Sequence, residues 1–153
     1  MIFTLFFTAA LIALDQWSKY LAVIYLKGNK AVTVIPNFLG LRYIENTGAA
    51  FSMLSNSTGF LIGVTSVALL IMAYFIFIKK SGLPFERFCF ILIFAGGVGN
   101  LIDRIYNGFV VDYFEFLFMD FAVFNVADVF VCTGIGLYTV YVFITEILRK
   151  KDS

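Results

Sequence analysis

Residues 58–78 run for 21 positions without a charged side chain. At about 1.5 Å per residue such a helix is about 30 Å long, the thickness of a bilayer's hydrocarbon core. A helix that is apolar on every side needs either a very large protein core or lipid around it. A chain of 153 residues cannot supply the first. The remaining composition agrees, with 14% charged residues against about 25% in soluble domains. The class is an integral membrane protein with one domain, 1–153.

Three further apolar runs fit the same reading, at about 2–26, 85–105 and 126–148. The first has the position of a signal peptide. No positive charge precedes it, and it is too long for an h-region, so we expect a retained helix. The fold class is therefore all-α, with four transmembrane helices. Lys79, Lys80 and Arg87 flank the loop between the second and third, and Arg149, Lys150 and Lys151 follow the fourth. These clusters put both termini and the middle loop in the cytoplasm, against a smaller set (Lys27, Lys30, Arg42 and Arg104) on the outer side.

The two outer segments differ in texture from the helices. Val32–Ile35 and residues 39–44 are rich in β-branched or alternating residues, with Pro36-Asn37 between them. Val110–Phe116 is also β-prone and can pair with them, and Asn107-Gly108 before it reads as a hairpin-type turn. We expect a small extracytoplasmic β-platform lying on the membrane, followed by a short interfacial helix near 49–54.

Against this background the polar residues stand out. Asn100, Asp103, Arg104, Asp112, Asn125 and Asp128 fall between positions 95 and 128, and Asp15, Gln16 and Lys19 lie inside the first run. Ionisable groups at membrane depth are costly and mark functional sites. Asp15 and Lys19, four apart, share a helical face that should turn inward, and they read as a structural ion pair with Lys19 reaching toward the boundary. Asp103 beside Arg104 reads as a structural pair or helix-end anchor, Glu115 and Asp120 as solvated, and Asn46 equally as a helix cap or a substrate contact. On its own Asp112 reads as an ordinary outer-loop acid, whereas Asp128 sits within an apolar run. Two carboxylates sharing one site cannot easily both ionise, and a pair holding one proton is the state that aspartic proteolysis uses.

There is no histidine, which removes Ser–His–Asp triads, Cys–His pairs and His-ligated zinc hydrolysis. Cys89 and Cys132 have no zinc spacing and read as small buried hydrophobes. No basic arm suggests nucleic acid. Three rival readings remain: a channel or transporter, a Ser–Lys peptidase using Lys19 with Ser18 or Ser52, and a non-enzymatic scaffold. The second run offers only Thr65 and Ser66 to an ion path, and Ser18 and Lys19 do not share a helical face.

Five blocks in order carry a resemblance across nearly the whole chain: D-Q-W-S-K at 15–19, N-T-G-A-A-F-S at 46–52, G-N-L-I-D-R at 99–104, V-V-D-Y at 110–113 and F-N-V-A-D at 124–128. The sequence resembles the lipoprotein signal peptidases (signal peptidase II, prolipoprotein signal peptidase). It departs from the usual G-G-A-x-G-N as A-G-G-V-G-N at 95–100, and from V-D-F as V-D-Y, leaving the aspartate intact. The resemblance implies an aspartic endopeptidase of the bacterial cytoplasmic membrane, active near its outer face. Its substrate would be a diacylglyceryl-modified prolipoprotein, cut before the lipidated cysteine. By motif the catalytic pair is Asp112 and Asp128, with Asp15, Lys19, Asn46, Gly48, Asn100, Arg104 and Asn125 in support. It implies no metal and no cofactor, membrane lipid as a partner, and a monomer.

Overall fold

The computed structural model describes residues 2–48, 57–79 and 82–151. The helix expected near 49–54 lies outside the described residues. The elements run α1 (Ile2–Leu26), β1 (Val32–Ile35), β2 (Leu39–Asn46), α2 (Thr58–Ala73), α3 (Pro84–Asn107), β3 (Val110–Phe116) and α4 (Val126–Lys151). α2 continues as one wider π turn over Tyr74–Ile78, so Thr58–Ile78 is a single 21-residue rod.

Three of these helices, Thr58–Ile78, Pro84–Asn107 and Val126–Lys150, are long and apolar enough to cross a membrane. α1 is equally long but carries its polar residues inward. Its buried positions are Thr8, Asp15, Lys19, Ala22 and Leu26, one stripe at helical spacing, while Phe3, Phe6, Trp17 and Tyr20 stand exposed on the other faces. α3 is the central helix. It buries Cys89, Ile91, Leu92, Ala95, Gly96, Gly99 and Asp103. Its glycines let α4 and α1 approach: a Cβ on Gly96 would strike the Ala127 carbonyl of α4, and one on Gly99 the Asp15 carboxylate of α1. At its start, Pro84 occupies the first turn and the Glu86 carboxylate accepts the Leu83 N–H at 2.7 Å.

Asn107-Gly108 does not make the expected hairpin. Gly108 is the left-handed cap of α3 (φ 81°), and its N–H donates to the Arg104 carbonyl at 3.2 Å. A glycine after the last helical residue ends the helix at no steric cost and turns the chain into β3. The sheet has the expected membership, antiparallel in the order β1-β2-β3. β2 pairs with β3 from Asn46↔Val110 to Leu39↔Phe116, with an irregularity between Leu41 and Ile44. Beyond β3 the chain folds back, and Phe114 and Phe124 exchange backbone hydrogen bonds at 2.8 and 3.0 Å. That reversal sets residues 125–128 beside Val111 and Asp112. Ala22 and Leu26 of α1 pack with Val111 and Tyr113, fixing the sheet to the end of the helices.

Candidate active site

Asp128 owes its position to the start of α4. Asn125 caps the helix: its Oδ1 accepts the Asp128 N–H at 3.0 Å, while Asp128 Oδ2 accepts the Asn125 N–H at 3.1 Å. This is a reciprocal capping box written with Asn and Asp in place of Ser and Glu. The next free N–H of the turn, that of Ala127, donates to Asp15 Oδ1 at 2.8 Å. F-N-V-A-D is thus a helix start whose capping acid also faces a cavity.

Asp112 comes from the middle of β3, opposite Ile44, and is 2% exposed. Its Oδ1 accepts from Asn125 Nδ2 at 2.7 Å and its Oδ2 from Asn46 Nδ2 at 2.9 Å. Asn125, fully buried, therefore touches both aspartates, one with its side chain and one with its backbone. Burial pushes the Asp112 carboxyl up to about 6; the Asp128 charge adds to this, while the two amide hydrogen bonds and Lys19 pull it back.

Behind the aspartates lies a buried ionic cluster. Lys19 sits 3.0 Å from Asp15 and 3.0 Å from Asp103, and donates to Asn100 Oδ1 at 2.9 Å. Asn100 in turn donates to Asp128 Oδ1 at 2.8 Å, and its Oδ1 also accepts from Asn125 at 3.1 Å. One reading from the sequence is corrected here, and the partner of Asp103 is identified. Lys19 does not reach toward the boundary: it is 2% exposed, because two carboxylates and an amide hold it inside. Asp103 pairs with Lys19, and its Oδ2 accepts the Val111 N–H at 3.0 Å, so it ties α3 to β3. Gln16 completes the cluster with hydrogen bonds to Asp15, Asp103 and the Gly99 carbonyl.

Asn46 closes an Asx turn by accepting the Gly48 N–H at 3.0 Å, which leaves its amide nitrogen for Asp112. Arg104 donates to the Gly48 carbonyl at 2.7 Å. Its buried Nε has no hydrogen-bond partner among the described residues. The structure thus joins Asp15, Lys19, Asn46, Gly48, Asn100, Arg104, Asp112, Asn125 and Asp128 in one network. The sequence placed Gln16 among the polar residues of the first run but gave it no role, although its place one residue from Asp15 in an apolar helix was a signal. Glu115 is not free in solvent; it pairs with Arg42 at 2.8 Å across the sheet. Asp120 is exposed, as expected. Cys89 is buried but Cys132 is exposed on α4.

Asp112, Asp128, Asn46, Asn100 and Arg104 all face one cavity of about 470 Å³, whose remaining wall is largely apolar and runs along α4 to Thr133. Such a site can accommodate an apolar group while offering carboxylates for acid–base work.

Membrane-length helices around an inward carboxylate site define a membrane enzyme, and solved structures agree. Two, described as bacterial membrane enzymes determined by the in meso method, match with TM-scores of 0.85 and 0.82 at 30% identity, over 94% and 93% of this chain and 88% and 93% of theirs. The chain belongs to the signal peptidase (SPase) II family, whose model matches residues 7–144. Among its relatives are the lipoprotein signal peptidases of Caldanaerobacter subterraneus subsp. tengcongensis, 44% identical over 82% of this chain and 86% of that one, and Clostridioides difficile, 42% identical over 89% and 91%. The family is the one that the five motifs resemble.

Proposed function

We propose that this protein is a membrane aspartic endopeptidase that removes the signal peptide from diacylglyceryl-modified prolipoproteins, cutting before the lipidated cysteine. The carrying observation is that Asp112 and Asp128, from different elements, are bridged by Asn125 and face the same cavity. One carboxylate, ionised, takes a proton from a water molecule as that water attacks the scissile carbonyl. The other, protonated, donates to the carbonyl oxygen as the tetrahedral intermediate forms. Collapse of the intermediate breaks the C–N bond, and the cysteine nitrogen leaves with a proton from the pair. Asn125 and Asn100 hold the carboxylates in place, Asn46 orients Asp112, and Arg104 balances their charge. Asp15 and Lys19 hold α1 and the start of α4 in register.

In this reading α1 is a fourth membrane span. Its polar stripe is covered by α3, α4 and β3, so its lipid-facing sides are apolar. Both termini are cytoplasmic, the sheet lies as a platform on the outer face of the bacterial cytoplasmic membrane, membrane lipid surrounds the helices, and the protein works as a monomer. A Ser–Lys mechanism is poorly served. Ser18 donates to the Asp15 carbonyl at 2.6 Å and accepts from Tyr113 at 2.7 Å, and Lys19 is tied to two carboxylates; Ser52 lies outside the described residues.

The test is purified protein with a diacylglyceryl-modified precursor in the presence of hydroxylamine, with products weighed by mass spectrometry. Hydrolysis by water gives a signal peptide with a free carboxylate and no hydroxamate. A signal peptide ending in a hydroxamate, as distinct from fatty hydroxamates formed from the acyl esters of the substrate, would reveal an acyl-enzyme and overturn the aspartic mechanism.

A further inference from the structure

A second hollow, of about 350 Å³, meets the first at Asp112. The two share Asn46, Asp112 and residues 121–123. They differ in chemistry. The first continues along α4 past Val129 and Val131, toward hydrocarbon. The second lies against the sheet and adds Arg42, Ile44 and Asp120. Its charges do not cancel locally. Arg42 is already paired with Glu115 at 2.8 Å. Asp120 is exposed at the rim, and Asp112 forms the floor. The groove therefore presents acid to whatever enters it.

We propose that this groove receives the polypeptide on the mature side of the cleaved bond, and that Asp120 makes the enzyme prefer basic or neutral residues over acidic ones just after the lipidated cysteine. This rests on the peptidase reading above. A prolipoprotein is apolar on one side of the scissile bond and polar on the other. Two hollows of matching character meeting at one carboxylate give each side its own path. The polar stretch then leaves along the sheet without crossing hydrocarbon, where its backbone groups would lack partners.

The experiment uses three diacylglyceryl-modified precursor peptides that differ only at the second and third positions after the modified cysteine: Lys-Lys, Ser-Ser or Asp-Asp. In low salt, wild-type kcat/KM should favour Lys-Lys over Asp-Asp by roughly two- to fivefold, the scale of one exposed charge pair. Asp120→Asn should shrink the ratio and Asp120→Lys should invert it. Raising the ionic strength should collapse the wild-type ratio, because exposed charges are screened beyond about 10 Å at 0.1 M salt. This second measurement decides the matter if Asp120→Lys does not fold. A wild-type ratio near one, a ratio indifferent to salt, or a folded Asp120→Lys protein with the wild-type ratio would each overturn the proposal. Failure of the underlying reading looks different: wild type would then cleave none of the three peptides, or Asp112→Asn would cleave all of them.

Discussion

The Lys19 ammonium donates to Asn100 Oδ1 at 2.9 Å, and through the other end of that amide it is connected to Asp128. Lys19 is also the only cation within salt-bridge distance of Asp15 and Asp103 among the described residues. Removing it leaves two buried carboxylates unpaired, a change that costs about 3–5 kcal/mol in buried ion pairs. Lys19→Ala should therefore lose folded protein before it loses chemistry. Thermal unfolding in detergent, with turnover normalised to folded protein, checks this. A stable Lys19→Ala protein with no turnover would point to a chemical role for the lysine.

Asp112 should make stability depend on pH and, on the proposed mechanism, the rate as well. Its carboxyl is raised from 3.8 to about 6, chiefly by burial. A raised carboxylate contributes stability that is fully present below about 3.8 and is lost as pH rises through about 6. Over that window the effect is on the order of a few kcal/mol. Asp112→Asn should flatten this part of the stability profile between pH 4 and pH 7. For the wild type, kcat/KM should be bell-shaped, with an alkaline limb beginning near pH 6 that belongs to the aspartate pair as a unit.

Gly99 tests the helix contact that seats the ionic cluster. A methyl group there would meet the Asp15 carboxylate and then Ala127. Gly99→Ala should destabilise by about 1–3 kcal/mol through overpacking. Gly136→Ala, where a Cβ meets nothing within 4 Å, should be nearly neutral. Thermal midpoints in detergent compare the two.

Orientation follows from the flanking lysines and arginines. In a background with Cys89 and Cys132 replaced, Lys30→Cys should react with a membrane-impermeant thiol reagent applied from outside, and Leu83→Cys should not. Both positions are exposed. The opposite labelling pattern would invert the topology.

Three membrane-length helices and the three strands were legible because apolar run length and β-branched alternation act locally. The clustering of the candidate site was legible because polar side chains in an apolar chain must meet one another, and F-N-V-A-D, G-N-L-I-D-R and D-Q-W-S-K each place them at fixed helical spacing. What remained hidden depends on depth and on partners distant in sequence. A four-residue spacing pairs Asp15 with Lys19 but does not say that α3 covers both. Asp103 is one residue from Arg104 and eighty-four from Lys19, yet helix packing gives it to the lysine. Asn107-Gly108 has the composition of a hairpin turn, and only the preceding helix makes Gly108 a cap.

The most direct test of the account is a kinetic cycle on the aspartate pair. Asp112→Asn, Asp128→Asn and the double variant should be purified and confirmed as folded. Each is then assayed on diacylglyceryl-modified precursor, with Glu146→Gln on the exposed far end of α4 as the control. Each single variant should lose roughly 10²- to 10⁴-fold in turnover while still binding the precursor, and Glu146→Gln should lose nothing. Residues that act as one unit are non-additive, so on the proposed mechanism the double variant should lose little more than either single one. Near-normal turnover in either single variant, or losses that multiply in the double, would contradict a dyad at Asp112 and Asp128.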